Sequence, residues 1–212
     1  MSIQIRLATP ADAAAIADIY APFCGGESVV SFETAPPTAA EMAERIAKIT
    51  ATYPWLVAAD ATGLRGYVYA CRHRERAAYR WAVEVTAYLR ADSRGRGLGT
   101  ALYGVLFDLL RAQGYYRAYA GIALPNPAST ALHTSLGFRR VGTYHGVGFK
   151  NGAWRDVSWW ELALQPETGA APAEPLPLAA VLAGPDCARA IAAGEARLAA
   201  APADGAASPV TP

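Results

Sequence analysis

The sequence predicts an α+β domain built on a mixed sheet. Short apolar runs that read as strands alternate with helical periodicities in the order β α α β β β α β α β β. Three of these strands follow one another directly, which a regular βαβ repeat does not do. With 212 residues, 53% of them hydrophobic and 10% aromatic, the chain can bury one domain and have a segment left over.

The elements follow from local chemistry. "IQIRL" alternates apolar and polar residues and reads as a first strand, and "TPADAAAIADIY" supplies a Thr9 cap, Pro10 at the first helical position and Asp12 in the first turn. A second helix is predicted from Thr38 to about Thr52, where Met42, Ile46 and Ile49 recur at helical spacing. "YPWLVAAD", "LRGYVYACR" and "YRWAVEVTAYLR" read as three strands, predicted antiparallel. After a glycine-rich loop, Leu98, Leu102, Val105, Leu106, Leu109 and Leu110 form the buried stripe of a helix ending near Gly114. "RAYAGIAL" is a further strand and "NPASTALHTSLGF" a short helix capped by Asn126, with Pro127 first and Gly137 past its end. A closing pair of strands runs through "FRRVGTYHGVGFKNGAWRDVSWWELAL".

The domain is expected over residues 1–165. From Pro166 on, 47 residues contain 17 Ala, 8 Pro and no Phe, Trp or Tyr, a composition too poor in large apolar side chains for a core of its own. This 166–212 tail is expected to be largely disordered, with one helix at "DCARAIAAGEARLAAA".

A formal net charge of +1 provides no global field for nucleic acid, so an anionic ligand must be caught locally. Cys24, Cys71 and Cys187 are odd in number and far apart, which argues against a disulfide framework or a structural zinc site and fits the cytoplasm. No run of 18 apolar residues suggests a membrane span.

The centre of the chain carries the chemistry. In "RADSRGRGLGT" the glycines stand at 95, 97 and 99 between a strand and a helix. A dinucleotide fingerprint needs its third glycine where Thr100 stands and an acid about 20 residues on; neither is present, and no GxxxxGK run exists for a P-loop. What remains is a set of free backbone N–H groups at a helix N-terminus beside Arg94 and Arg96, an arrangement that binds a diphosphate without a metal. The glycines let the backbone approach the oxygens closely.

Arg/Gln-x-x-Gly-x-Gly/Ala in this setting is the acetyl-CoA pyrophosphate motif of the GNAT N-acetyltransferases, and "RGRGLG" resembles it at Arg94, Gly97 and Gly99. With "YPWLVA", "YRWAVEVTAYL", "LPN", "LHTSLGF" and "GFKNGAWRDVSWWEL", the stretch from Ile3 to Leu164 resembles the phosphinothricin and methionine sulfoximine acetyltransferase branch of that superfamily. The resemblance implies the GNAT fold with splayed middle strands, acetyl-CoA as co-substrate, a small amino acid as acceptor, direct transfer in a ternary complex, a homodimer, and a role in detoxification or resistance.

Such a transfer needs a neutral amine and a protonated leaving thiol; with an α-amino pKa near 8 and a thiol near 8.5, a base and an acid are both useful. Glu84 is the carboxylate within the apolar strand "WAVEVTAYL", where a charge is costly without a partner or a task, although strand alternation alone also allows an outward-facing residue. The resemblance assigns Glu84 as the base. It assigns Arg94, Gly95, Arg96, Gly97, Leu98 and Gly99 to the pyrophosphate, the backbone of Ala87, Tyr88 and Leu89 to pantetheine and thioester, and Asn126 and Ser135 to further CoA contacts.

Many superfamily members place a tyrosine in "LYxxLGF" to protonate the thiolate; here "LHTSLGF" puts His133 in that slot, as acid or substrate contact. Arg74, Arg76, Ala77, Ala78 and Tyr79 are implied to line the acceptor site, with Phe32 as an apolar wall. Guanidinium forks suit carboxylate, phosphinate or sulfone oxygens and disfavour polycationic acceptors, while a solvated charged loop is the plain reading of "RHRERAAYRW". An acyl-cysteine route lacks a base–orienter signature, and no histidine spacing suggests a metal. The alternatives are acetylation of another small amine or of a protein N-terminus and, from a different class, a CoA-binding module without catalysis.

Overall fold

The structure, a computed structural model, describes residues 2–200. Strand β1 (Gln4–Leu7) leads through a 3-10 turn at Pro10–Asp12 into α1 (Ala13–Cys24) and α2 (Ala39–Thr50), followed by β2 (Trp55–Asp60), β3 (Gly63–Arg72) and β4 (Ala82–Leu89). Then come α3 (Leu98–Gln113), β5 (Arg117–Ala123), α4 (Pro127–Ser135), β6 (Arg139–Lys150), β7 (Ala153–Ala163), α5 (Leu178–Ala183) and α6 (Pro185–Ala200). One sheet holds all seven strands in the order β1-β2-β3-β4-β5-β7-β6, and every pairing is antiparallel except β4 with β5. The α+β expectation with a mixed, mostly antiparallel sheet is met.

Local signals act largely as expected. Thr38 caps α2 through a reciprocal box, its Oγ1 accepting the Glu41 N–H at 3.2 Å while Glu41 Oε2 accepts the Thr38 N–H at 2.8 Å. At Thr9 the same grammar starts a 3-10 turn before α1, because the Asp12 carboxylate accepts the Thr9 N–H at 2.8 Å and is also held by Arg6. Strand β2 is apolar without alternation because both faces are covered: Leu56 and Ala58 join the core under α3, and Trp55 and Val57 the core under α1 and α2.

The tail departs from expectation in part: α6 falls on the one helix expected there, whereas α5 was not expected. Residues 178–200 form two helices, and α6 packs along α3, with Gly194 against Val105 and Ala101 O. α3 is buried well beyond its predicted stripe, because Tyr103 and Phe107 also pack against His133 and Phe138 and Gln113 donates to Thr52 O and Leu176 O. Composition alone suggested disorder because the segment has no core of its own. Alanine nevertheless has the highest helix propensity, and α3 supplies the apolar partner surface. Gly194 sits so close to Val105 that a Cβ there would overlap the valine side chain. Glu195 Oε1 accepts the Ile5 N–H at 2.9 Å on the otherwise open edge of β1. Upstream, the segment crosses the strand ends, where Ala173 O accepts the Trp81 indole N–H at 2.7 Å and Glu174 pairs with Arg80. Residues 201–212 of the tail lie outside the described residues. Among the described residues no helix is long and apolar enough to cross a membrane.

Candidate active site

The site is a product of one interrupted pairing. β4 and β5 meet only at Ala82↔Arg117, Val83↔Ala118 and Glu84↔Tyr119, while β4 stays paired with β3 as far as Leu89. Past Glu84 the two strands diverge, and the β4 edge from Val85 to Leu89 turns its backbone groups into a groove of about 530 Å³. Its other walls are β5 from Ala120 to Ala123, the glycine loop with the first turn of α3, and α4 at Asn126, Ser129 and His133. Ala87, Tyr88 and Leu89 thus line the groove. The Tyr88 ring packs against Tyr20 and Phe23, and burial pushes its phenol up to about 12.

At the groove mouth Gly95 and Gly97 adopt φ of +72° and +76°, a left-handed region costly for side chains, and bring the loop to the helix start. The first intrahelical bond of α3 is Ala101 N–H to Gly97 O at 2.9 Å. The N–H groups of Leu98, Gly99 and Thr100 come before it, at the positive end of the helix dipole. Arg94 lines the groove with its guanidinium over the Phe23 ring at 5.3 Å. Arg96 does not: it lines a separate cavity with Arg65, Asp92 and Glu195. Thr100 and Tyr103, which motif matching passed over, line the groove from α3.

Glu84 stands at the fork itself. Val83 and Val85 point into the core under α3, so Glu84 takes the opposite face, where its side chain is 27% exposed. His73 Nδ1 lies 3.0 Å from Glu84 Oε1 and Arg74 Nη1 3.4 Å from the same oxygen. Arg74 also lies over the Trp159 ring at 5.7 Å, and the Trp159 indole N–H is buried with no acceptor among the described residues. Arg76, Ala77, Ala78 and Tyr79 form an exposed 3-10 turn beside this cluster, with the Tyr79 ring 6.0 Å from His73. Arg72 and Arg80 are tied to Glu75 and Glu174. Burial and the facing Glu84 push the Cys71 thiol up to about 12, which removes it as a nucleophile.

The short helix α4 brings in Asn126 and His133. Asn126 Oδ1 accepts the Ser129 N–H at 3.1 Å, the expected cap, worth about 1 kcal/mol. His133 is only 4% exposed; its Nδ1 lies 2.8 Å from Ser129 O and its Nε2 3.2 Å from the Tyr103 hydroxyl. A carbonyl can only accept, so the hydrogen is on Nδ1 and the Tyr103 hydroxyl donates to Nε2. Burial lowers the imidazole pKa, so His133 is a neutral acceptor inside the groove wall rather than a proton donor to a thiolate. Ser135 is exposed on α4 and donates to Leu132 O at 2.8 Å; the structure does not bring it to the groove.

Phe32 lies on the long connection between α1 and α2, its ring directly over Gly148 of β6, where any Cβ would collide with it. That connection is held by Lys150, 5% exposed, whose Nζ donates to Cys24 O at 2.8 Å, Ser31 O at 2.6 Å and Glu33 O at 2.9 Å. All three ammonium protons are thereby used. Neither His73 nor Lys150 was assigned a role from the sequence, since both act through contacts between separate segments.

Lys150→Met leaves three carbonyls without their donor and is expected to cost about 2 kcal/mol, read by chemical denaturation. His133 predicts a pH dependence. Its folded pKa is lowered, so between that value and the unfolded value near 6.5 the unfolded chain binds the extra proton. The stability is complete above about pH 6.5 and falls as pH drops below it. Tm between pH 7.5 and 5 is expected to fall less steeply for His133→Gln than for wild type.

The chain matches the acetyltransferase (GNAT) domain family over residues 5–159. It is 39% identical over 159 residues to a phosphinothricin N-acetyltransferase of Streptomyces viridochromogenes, covering 75% of this chain and 86% of that protein. It is 39% identical over 171 residues to an L-methionine sulfoximine/L-methionine sulfone acetyltransferase of Pseudomonas paraeruginosa, covering 80% of this chain and 99% of the relative. A crystal structure of a GNAT superfamily phosphinothricin acetyltransferase from Sinorhizobium meliloti in complex with AcCoA superposes with a TM-score of 0.76 at 39% identity, covering 82% of this chain and 95% of that one. The interrupted β4–β5 pairing, the glycine loop at the start of α3 and these likenesses agree: the chain belongs to the GNAT acetyltransferase family.

Proposed function

We propose that the chain acetylates the α-amine of a small amino acid, such as phosphinothricin, methionine sulfoximine or methionine sulfone, using acetyl-CoA in a ternary complex. The observation that carries this reading is Glu84 at the fork of β4 and β5, where a ligand lying along the free β4 edge would end. The N–H groups opening α3 and the Arg94 guanidinium suit a pyrophosphate. The β4 backbone at Ala87–Leu89 suits an amide-bearing chain that completes its broken ladder.

An α-ammonium must lose one proton before its nitrogen has a lone pair, and Glu84 is the group that takes it and passes it to solvent. Attack on the thioester carbonyl then forms the C–N bond and breaks the C–S bond; of the two protons left on nitrogen, one goes to the departing thiolate and the other stays on the amide. Tyr103 and His133 form the polar wall where the sulfur would lie. Arg74 and Arg76, the latter with no side-chain hydrogen bond among the described residues, suit the acceptor's carboxylate and its second polar group. Cys24, Cys71 and Cys187 are free thiols, which fits the cytoplasm.

The long edge strand β6 exposes Val141, Tyr144, Val147 and Phe149, the last at 61%, beside Trp154 at 68%. An apolar edge of this length suits a second copy of the chain, and we assign it as the homodimer surface.

Thiol release from acetyl-CoA over an amino-acid panel tests the activity. Glu84→Gln is expected to lower kcat/KM at pH 7 about 100-fold or more, and near-full activity would remove Glu84 as the base. Sedimentation tests the assembly: wild type is expected as a dimer and Trp154→Glu as a monomer, and a monomeric wild type would refute it.

A further inference from the structure

Glu84 has two oxygens, and the structure treats them differently. Both neighbouring donors, His73 Nδ1 at 3.0 Å and Arg74 Nη1 at 3.4 Å, reach Oε1; among the described residues no side chain or backbone group donates to Oε2. The His73 ring is held independently of this contact. It stacks on Tyr119 with centroids 4.4 Å apart and planes 15° apart, and meets the edges of Tyr79 at 6.0 Å and Trp159 at 6.2 Å. Three aromatic side chains from three elements thus fix where Nδ1 points. A carboxylate only accepts, so Nδ1 carries the hydrogen and the imidazole is a donor to Glu84.

We propose that His73 is a positioning residue for Glu84, pinning Oε1 together with Arg74 so that Oε2 is the atom that takes the proton from the acceptor amine. The proposal rests on the reading of Glu84 as the base. It separates the two members of the clamp. Arg74 is exposed and lies over Trp159, where an incoming acceptor anion competes for it, whereas His73 is enclosed and stays with Glu84 throughout. The other titratable groups around the pair are Cys71 on β3, opposite Glu84; Tyr119 on β5; Tyr79 in the 3-10 turn; and Glu161 on β7, opposite Tyr119 and paired with Arg139 of β6. None of these is bonded to Oε1, so His73 is the enclosed group whose removal frees the carboxylate to rotate.

The test uses the full chain with acetyl-CoA and L-methionine sulfone. His73→Phe retains a ring for the stack on Tyr119 and removes the donor; His73→Asn removes the ring and restores an amide donor at the place of Nδ1. His73→Phe is expected to keep a near-wild-type Tm and acetyl-CoA KM and to lower kcat about 10-fold through a misdirected carboxylate. The acid limb of its kcat/KM profile moves to higher pH, because a hydrogen bond to the charged carboxylate has been lost. His73→Asn is expected to return that limb to its wild-type position, which a merely structural role would not do. Adding His73→Phe to Glu84→Gln is expected to cause no further loss. Should His73→Phe match wild type in kcat and in its acid limb while Glu84→Gln is impaired, the clamp is refuted and the base stands. Should Glu84→Gln itself be fully active, the base reading fails and the clamp fails with it.

Discussion

Beyond Glu84 the backbone of β4 keeps its hydrogen bonds to β3 and loses those to β5. A strand edge inside a protein cannot stay unpaired without cost, so the groove beside it is a place where a ligand's amides are worth binding. Every other part of the site is arranged around that break. The glycine loop lies at its outer end, where α3 presents its first N–H groups, and Glu84 lies at its inner end, on the last paired residue. The length over which β4 and β5 diverge therefore sets the separation between the start of α3 and Glu84.

The divergence is held open from both faces of the sheet. On one face α3 is buried nearly all round, and α6 covers the side that the domain alone would expose. On the other, the connection between α1 and α2 is tied to β6 by the three carbonyl contacts of Lys150, with the Phe32 ring laid over Gly148. Burying a lysine is tolerable only when its protons are all taken, so this contact fixes the connection far more firmly than an exposed ion pair would. The stretch before β4 is likewise tied to the segment after β7, through Arg80 with Glu174 and the Trp81 indole with Ala173 O. These groups are exposed, so their worth is in fixing geometry rather than in stability.

Electrostatics divides the polar residues of the site between its two ends. His133, buried with its Nδ1 hydrogen committed to Ser129 O, belongs to the neutral wall formed with Tyr103. His73, of the same residue type, shares its cluster with a carboxylate and a guanidinium. Both imidazoles donate from Nδ1, His133 to a carbonyl and His73 to the Glu84 carboxylate, and His133 Nε2 is left to accept from Tyr103.

Periodicity, caps and glycine spacing determined a good deal by themselves. The order of strands and helices, the uninterrupted apolar run of β2, the cap at Thr38, the start of α4 at Asn126 and the stop at Gly114 are all set within a few residues along the chain, where local chemistry decides. The glycine loop and Glu84 were legible for the same reason, each being an anomaly in its own neighbourhood. Tertiary structure alone decided that Arg94 faces the groove and Arg96 a different cavity, that Ser135 turns to solvent, and that His133 is a buried acceptor. It also recruited His73 and Lys150 and folded the alanine-rich segment into α5 and α6. In each case the deciding partner lies on another element, so the energy that selects the conformation is a property of contacts that no local window of sequence contains.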